Sequence, residues 1–331
     1  MIRVPNDRQT NRQRGENIWK KVGMNRDLPP PRIPAGHMFF FGIGYTAERL
    51  AARLLAHGWR LSGTVRDVGK QGALKARGID AHLFGPGMPL EDPAGALRQV
   101  THVVSSIPPS RDGDPVLQAL AEELRSAASL RWAGYLSTPA VYGDRQGALV
   151  RESDTPNPGS DRGHRRLAAE RAWIDVFGNT DVAVQIFRLS GIYGPGDRNA
   201  IAQVRAGSAR IIDKPGQVFN RIHVDDIGSI LLASMARPDP GRVYNVADRE
   251  ACPSGDVIRF ACTLLNMEPP DPVPFEAADL SAMARSFYAE CKRLDTRRLA
   301  DELGVELAFP TYREGLAAIL EDMAGGGSSS T

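Results

Sequence analysis

The 331-residue chain is poor in cysteine and contains only Cys252, Cys262 and Cys291. An odd number of cysteines at this spacing fits neither a disulfide framework nor a metal-binding or redox motif, so we expect no metal site. Reduced thiols are typical of proteins that work in the cytoplasm, which is the location we expect.

The chain also lacks a long apolar run. A transmembrane helix needs ~20 consecutive apolar residues, and the longest apolar stretch, around residues 230–233, is far shorter. No apolar core follows the basic residues near the amino terminus, which argues against a secretion signal. With 42% hydrophobic and 24% charged residues, the composition is typical of a globular protein, and we expect no membrane partner.

Neither sign of charge dominates the whole chain, but the first 37 residues are strongly basic. They hold eight basic and three acidic residues, a net charge of +5, so that the remainder carries 2 − 5 = −3. Together with five prolines, this composition predicts a disordered basic extension over residues 1–37. A nucleic-acid arm is disfavoured because no binding motif is present, so we expect a dispensable extension, with Met24 or Met38 as alternative starts.

Apolar runs and helical patterns alternate from Met38 onward, which indicates a parallel sheet with helices on both faces. We therefore predict a doubly wound α/β fold of the Rossmann type, with the dinucleotide-binding core over residues 38–190. The alternation loosens after Ser190, so residues 191–324 are predicted to form a smaller C-terminal lobe interleaved with the core. Residues 325–331 are rich in glycine and serine and are predicted to be flexible.

A glycine motif of the form G-x-G-x-x-A lies between the first predicted strand and the first predicted helix. The first glycine permits a tight turn, the second lets the backbone approach a pyrophosphate, and the alanine allows close helix–strand packing. The amino end of the helix then offers N–H donors to phosphate. The alternative is an ordinary turn that needs glycine, but the position favours a nucleotide site formed by Gly42, Ile43, Gly44, Tyr45 and Thr46.

The end of the second predicted strand bears on the choice of nucleotide. NAD-binding proteins usually place an acid there for the ribose hydroxyls, whereas this chain has Val65 followed by Arg66. The planar guanidinium of an arginine pairs well with a phosphate, so Arg66 suits the 2′-phosphate of NADP. We therefore predict NADP as the cofactor and keep NAD as the alternative.

Further motifs carry a resemblance to a known family. They are a Ser/Thr strand end followed by Val-Tyr-Gly (residues 136–144), Arg188 with Ile-Tyr-Gly-Pro-Gly (residues 192–196), His-Val-Asp-Asp (residues 223–226) and Tyr-Asn-Val (residues 244–246). From about Met38 to Leu320 the chain resembles the extended short-chain dehydrogenase/reductases, the NAD-dependent epimerase/dehydratase family, and in particular its small atypical YeeZ-like members. The resemblance implies a Rossmann fold, a nicotinamide dinucleotide and a small-molecule substrate.

The resemblance also implies a triad of Ser/Thr, Tyr and Lys. Thr138 matches the first position, but the helix that should carry the other two has Arg162 at the Tyr position and Arg166 at the Lys position. Arg162 cannot exchange a proton near neutral pH, because a guanidinium stays protonated. Arg166 can still hold the cofactor ribose, so cofactor binding is expected to survive better than proton transfer.

The remaining candidate residues follow from topology and from the resemblance. Ser105, Ser106 and Ile107 end the fourth predicted strand, at the sheet edge where a cofactor binds. By resemblance, the substrate side is assigned to Tyr142, Arg188, Tyr193, Arg221 and His223. The family also pairs through two helices, here near residues 115–130 and 164–177, so a homodimer is a further expectation.

Three functions remain open from the sequence. The first is an NADP-dependent epimerase/dehydratase-like oxidoreductase acting on a small polar substrate such as a nucleotide sugar. The second is a non-catalytic NADP-binding sensor or regulatory protein, which the altered triad favours. The third is an enzyme whose arginines bind an anionic substrate, using Arg162, Arg165, Arg166 and Arg188. Fold alone does not distinguish them.

Overall fold

The computed structural model describes residues 33–325. The predicted basic extension therefore lies outside the described residues up to residue 32, and the predicted flexible end lies outside them from residue 326. The first strand begins at His37, one residue before the expected start at Met38. His37 belongs to the strand because its backbone pairs with Arg60 and its N–H donates to Thr101 Oγ1 at 2.9 Å.

Seven strands of the described chain form one mostly parallel sheet in the order β3-β2-β1-β4-β5-β7-β11. The pairs β1–β2, β1–β4, β2–β3 and β4–β5 are all parallel, which confirms the doubly wound Rossmann arrangement. The strands of this sheet are β1 (His37–Phe41), β2 (Arg60–Val65), β3 (Asp80–Leu83), β4 (His102–Ser105), β5 (Trp132–Ser137), β7 (Ala183–Leu189) and β11 (Val243–Val246).

Six short strands form three parallel pairs, β6–β13, β8–β10 and β9–β12. They are β6 (Leu149–Val150), β8 (Gly191–Tyr193), β9 (Ile211–Asp213), β10 (Arg221–His223), β12 (Pro272–Pro274) and β13 (Arg293–Leu294). The helices of residues 33–325 are α1 (Tyr45–Ala56), α2 (Val68–Ala76), α3 (Pro93–Leu97), α4 (Pro115–Ser126), α5 (Asp161–Phe177), α6 (Ala200–Arg205), α7 (Val224–Ala236), α8 (Ser254–Leu265), α9 (Ala282–Phe287), α10 (Arg297–Asp301) and α11 (Tyr312–Gly325). Within this part of the chain no helix has both the length and the apolar character to cross a membrane.

The apolar periodicity predicts a helix over residues 167–177, whereas helix α5 begins six residues earlier, at Asp161. Ser160 starts it, because its carbonyl accepts from His164 N at 2.9 Å and its Oγ accepts from Gly163 N at 3.2 Å. Gly163 has no room for a side chain, since a Cβ there would lie 2.8 Å from the carbonyl oxygen of Ala140. The first turn is therefore specified by a cap and a close approach, which hydrophobic periodicity does not reveal.

The chain divides into two compact units, each with its own core. The first contains residues 33–137, Arg165–Phe187 and Gly228–Val243. Its core is centred on Phe39, Phe41, Tyr135 and Trp173, all of them fully buried. The second contains Thr138–His164, Arg188–Ile227 and residues 244–325. Its core includes Ile201, Ala261, Tyr312 and Leu316.

Candidate functional site

The loop after β1 can accept only glycine at its first position. Gly42 has a φ of +88°, and a Cβ there would lie 2.9 Å from Ser106 Oγ and 3.1 Å from Ile107 Cγ1. The loop is fastened to β2, because Gly42 N donates to Thr64 Oγ1 at 2.9 Å and Ile43 N donates to Thr64 O at 2.8 Å. The Ile43 side chain is buried, so it helps to anchor the loop to the protein.

Gly44, the second glycine of the motif, faces open space. It precedes α1 as the N-cap residue, no side chain caps the helix, and no protein atom lies within 4 Å of a Cβ built at this position. The amino end of α1 therefore begins beside open space at Gly44, and the amino end of a helix is suited to an anion. Ala47, the last residue of the motif, is buried against the sheet, as predicted from its small size.

Ser106 holds the glycine loop from the neighbouring strand. Its N–H donates to Phe41 O at 3.0 Å and its Oγ donates to Gly42 O at 2.8 Å. Ser105, by contrast, is fully buried, and within residues 33–325 its Oγ has no hydrogen-bond partner. Of the three residues predicted at this strand end, Ser106 and Ile107 therefore line the open site, whereas the Ser105 side chain lies inside the protein.

A cavity of about 980 Å³ lies at the carboxyl ends of β1 to β4. The predicted residues that line it are Gly42, Ile43 and Gly44 of the glycine loop, Val65 and Arg66 at the end of β2, and Ser106 and Ile107. It is also lined by residues that were not predicted, among them Asp67, Lys70, Phe84, Met88 and Pro108. The topological argument applied to Ser105 could have found Phe84, since it follows β3 at the same edge of the sheet.

Arg66 is a cationic residue that lines this cavity. It is exposed, and its stem lies along Gly85, where a Cβ would be 3.0 Å from Arg66 Cγ. Among residues 33–325 its guanidinium makes no hydrogen bond or ion pair, whereas Lys70 is paired with Glu48 at 2.7 Å. The next residue in the sequence is an acid, Asp67, but its carboxylate caps α2 by accepting from Lys70 N at 2.7 Å.

Arg166 is attached to strand β5. Its Nη1 donates to Tyr135 Oη at 3.1 Å and to Leu136 O at 3.0 Å, and its Cζ lies 5.6 Å from the centre of the Tyr135 ring. Tyr135 is fully buried, and this burial raises the pKa of its hydroxyl above the ordinary value. Two residues further along β5, Ser137 Oγ donates to the buried Glu170.

Arg162 and Thr138 lie in the second unit. Arg162 is exposed, and its Cζ lies 5.9 Å from the ring centre of Phe287, which is itself 54% exposed. Thr138 is half-buried and its hydroxyl accepts from Ala140 N at 3.4 Å, which starts the 3₁₀ turn Pro139–Tyr142. His164, two residues after Arg162, is exposed.

Tyr142 and Arg188, both predicted on the substrate side, are buried together. Tyr142 Oη donates to Asn245 Oδ1 at 2.7 Å, and the Arg188 Cζ lies 4.6 Å from the centre of the Tyr142 ring. Asn245 in turn donates to the carbonyl oxygens of Val150 and Asp295 at 3.2 Å each. The two side chains thus support the loops of the second unit, and their substrate role stays a prediction.

Tyr193, His223 and Arg221 also contact their own unit. Tyr193 Oη donates to Thr311 O at 3.3 Å, and its ring meets that of His223 edge-on at 5.2 Å. Arg221 donates to Phe219 O at 3.0 Å and to Cys252 O at 3.3 Å. Asp248 is a buried acid that the sequence analysis overlooked, and burial raises its pKa to about 7.

Three comparisons place the chain among known proteins. A model described as the NAD dependent epimerase/dehydratase family matches residues 116–247. Protein YeeZ of Escherichia coli K12 is 29% identical over 278 residues, which are 81% of this chain and 94% of YeeZ. A functionally unknown conserved protein from Silicibacter pomeroyi DSS, of known structure, is 46% identical with a TM-score of 0.80, over 87% of this chain and 99% of that one. This chain belongs to the NAD-dependent epimerase/dehydratase family.

The membership confirms the family resemblance that the motifs indicated. A more distant structure, UDP-glucuronic acid 4-epimerase from Bacillus cereus in complex with NAD, is 17% identical with a TM-score of 0.68, over 88% of this chain and 99% of that one. At that identity the likeness shows the shared fold alone. The nicotinamide cofactor of the family fits the geometry at the glycine loop, because Gly42 permits the turn and Gly44 leaves space before an uncapped helix.

Arg162 and Arg166 stand at the positions where the family resemblance predicts Tyr and Lys. A guanidinium group can donate hydrogen bonds to anions and hydroxyl groups, but it is not suited to act as a general acid or base. Among residues 33–325 no group of three or more His, Cys, Asp or Glu side chains could hold a metal ion.

Proposed function

We propose that this chain is an NAD(P)-binding oxidoreductase of the epimerase/dehydratase type that prefers NADP and acts on a small polar or nucleotide-sugar substrate. The observation that carries the proposal is the uncommitted Arg66 guanidinium at a cavity that also contains the glycine loop. In this proposal Gly42, Ile43 and Gly44 form the turn that leaves room for the pyrophosphate, and the positive amino end of α1, at Tyr45 and Thr46, attracts it. Ser106 and Ile107 line the same site.

The preference for NADP is supported by what surrounds the end of β2. Val65 is buried and offers no carboxylate to a ribose, and the Asp67 carboxylate is engaged in capping α2. Arg66 has no competing acid partner among the described residues, so its guanidinium is available to a 2′-phosphate. The structure of the Bacillus cereus epimerase contains NAD. The preference for NADP proposed for this chain differs from that cofactor.

The catalytic part of the proposal gives each triad position a role. The cofactor, when bound, supplies the hydride chemistry. Thr138 would orient a substrate hydroxyl, Arg166 would hold the cofactor ribose, and Arg162 would bind an anionic group of the substrate. Because neither arginine can act as the general acid or base, a water molecule would move the proton. A cytoplasmic location, a homodimer and the absence of a nucleic-acid partner complete the proposal.

A second function, a non-catalytic NADP-binding sensor, is favoured by one specific observation. Arg166 is tied to Tyr135 and Leu136, and Arg162 lies over the ring of Phe287, so neither triad position presents a proton-exchanging group. A chain that kept its dinucleotide site and lost its proton donor would bind cofactor without turnover.

Cofactor preference is tested by titrating NADPH and NADH into the full chain and following nicotinamide fluorescence. Replacing Arg66→Ala should weaken NADPH binding by about 10-fold or more, because a charge-assisted bond to phosphate is lost, and should leave NADH unchanged. The matched control is Arg60→Ala at the opposite end of β2, where Arg60 donates to Gln99. Equal losses for both cofactors would refute the preference, and no binding of either cofactor would refute the proposed function.

Turnover on a panel of nucleotide sugars separates the enzyme from the sensor. For the enzyme, we expect NADPH- or NADP-dependent turnover by the native chain that falls by about 100-fold in Arg162→Ala, as substrate positioning is lost. An inert native chain that gains turnover when Arg162→Tyr and Arg166→Lys are combined would instead establish the sensor. Cofactor affinity measured on each variant distinguishes loss of chemistry from loss of binding.

A further inference from the structure

The guanidinium of Arg166 is held at two points by strand β5. Nη1 donates to Tyr135 Oη at 3.1 Å and to Leu136 O at 3.0 Å, and the guanidinium also lies near the face of the Tyr135 ring. A free arginine side chain samples many rotamers, and two hydrogen bonds on one nitrogen restrict it strongly. The other nitrogens of the fork stay available for a ligand.

Tyr135 is itself immobilised by the core of the first unit. Its side chain is fully buried and stacks on Trp173, with ring centres 5.8 Å apart and an interplanar angle of 27°. Trp173 Nε1 donates to Asp114 Oδ2 at 3.1 Å, while Asp114 Oδ1 caps α4 by accepting from Val116 N at 3.0 Å and Leu117 N at 3.2 Å. The orientation of Arg166 is thus set by a chain of fixed contacts.

The charges of this cluster are matched to the arginine. Burial raises the pKa of Asp114, and the nearby Arg166 acts in the opposite direction, toward the ionised form. The Tyr135 hydroxyl stays protonated because burial raises its pKa. As a neutral hydroxyl it offers Arg166 an acceptor oxygen without neutralising the cation, so the charge remains available to a ligand.

We propose that Tyr135 is a positioning residue whose hydroxyl holds Arg166 in the orientation that binds the nicotinamide half of a dinucleotide. This inference rests on the proposed function, in which Arg166 holds the cofactor. Tyr135 is fully buried and is not among the residues that line the cavity, so in this proposal it acts through Arg166. Because Tyr135 is fixed by its packing on Trp173, its hydroxyl restricts the rotamers that the Arg166 side chain can adopt.

The test uses the full chain and two ligands, NADPH and adenosine 2′,5′-bisphosphate, which lacks the nicotinamide half. Tyr135→Phe should weaken NADPH binding by about 10-fold, the effect of losing one hydrogen bond to a charged group, and leave the bisphosphate within about twofold. Ser137→Ala is the matched control, because it removes a buried hydroxyl of the same strand that donates to Glu170 and not to Arg166. It should leave both affinities within about twofold.

A double-mutant cycle provides the decisive arm. In the Arg166→Ala background, Tyr135→Phe should cause no further loss of NADPH affinity, since the hydroxyl then has nothing to position. The positioning role is overturned by an unchanged NADPH affinity in Tyr135→Phe, by equal losses for the two ligands, or by additive losses in the double variant. If the wild-type chain binds neither ligand, the proposed function fails and this inference fails with it.

Discussion

Gly42 and Gly44 lie in the same loop, and glycine is needed at each for a different reason. At Gly42 the backbone is left-handed and a Cβ would collide with Ser106, so the requirement comes from the protein itself. At Gly44 the φ is −109° and the space around a Cβ is empty, so any residue fits the folded chain. Only an approaching ligand would require glycine there.

Alanine at each position should therefore separate folding from binding. Gly42→Ala should lower the free energy of unfolding by about 2 kcal/mol, because of the strained φ and the contact with Ser106. Gly44→Ala should change it by less than about 0.5 kcal/mol and yet weaken NADPH binding by about 10-fold or more. Urea unfolding and cofactor titration measure the two quantities. A Gly44→Ala variant that binds NADPH normally would contradict a phosphate at this loop.

Two elements of the sheet carry buried histidines at their amino ends. His102 of β4 contacts Thr101 Oγ1 through Nδ1 at 2.8 Å and meets the Trp59 ring edge-on at 5.0 Å. His37 of β1 contacts Ser62 Oγ at 2.7 Å. Burial lowers the pKa of His102 to about 4 and lowers that of His37 as well. Both side chains are therefore neutral in the folded sheet at neutral pH.

The sheet should lose stability in mild acid. A histidine whose pKa is lower in the folded than in the unfolded chain makes its full contribution to the free energy of unfolding above about pH 6.5. This contribution disappears as the pH falls toward about 4. For His102 the resulting decrease in the free energy of unfolding is about 3 kcal/mol. Urea unfolding at pH 7.5 and 4.5 should therefore show a smaller acid loss for His102→Phe, which keeps the aromatic contact. The exposed His164 is the control position. An equal loss in His102→Phe and wild type would exclude this origin.

Elements with a long apolar pattern could be predicted from the sequence, and short ones could not. The apolar pattern predicts a strand over residues 132–137 and a helix over residues 254–265, and β5 and α8 have these bounds. Burial imposes a regular pattern over their six and twelve residues. Helices α3 and α6 have only five and six residues, too few for a periodicity, and they were missed. Their caps, Asp92 and Asn199, were the available signal.

The candidate site divides in the same way. The glycine loop and Arg66 were predictable because their requirements are local to a strand end. The contact of Arg166 with Tyr135 joins residues 31 positions apart, and no periodicity encodes such a pair. The same holds for the hydrogen bond between Tyr142 and Asn245, which are 103 positions apart. This contact lies in the interior, whereas the motif predicted the Tyr142 side chain on the substrate side.

At the scale of the whole molecule, the net charge of the full chain differs in sign from that of residues 33–331. All eight basic and three acidic residues of the predicted extension precede residue 33, so residues 1–32 carry 8 − 3 = +5 and residues 33–331 carry 2 − 5 = −3. The basic pI of the chain, near 8.5, thus reflects its first 32 residues. Anion binding by the described part must come from local placement of arginine rather than from its net charge.

Two truncations test where the dispensable part ends. Deleting residues 1–32 should leave Tm within about 2 °C and NADPH affinity within about twofold, because their basic, proline-rich composition predicts no packed structure. Deleting residues 1–37 should lower Tm by several degrees. That cut removes Gly36 O, which accepts from Arg60 N at 3.0 Å, and the bonds of His37 to Thr101 and Ser62. Equal melting temperatures for the two truncations would show that the start of β1 contributes little. A large drop on removing residues 1–32 alone would show that the basic extension supports the fold.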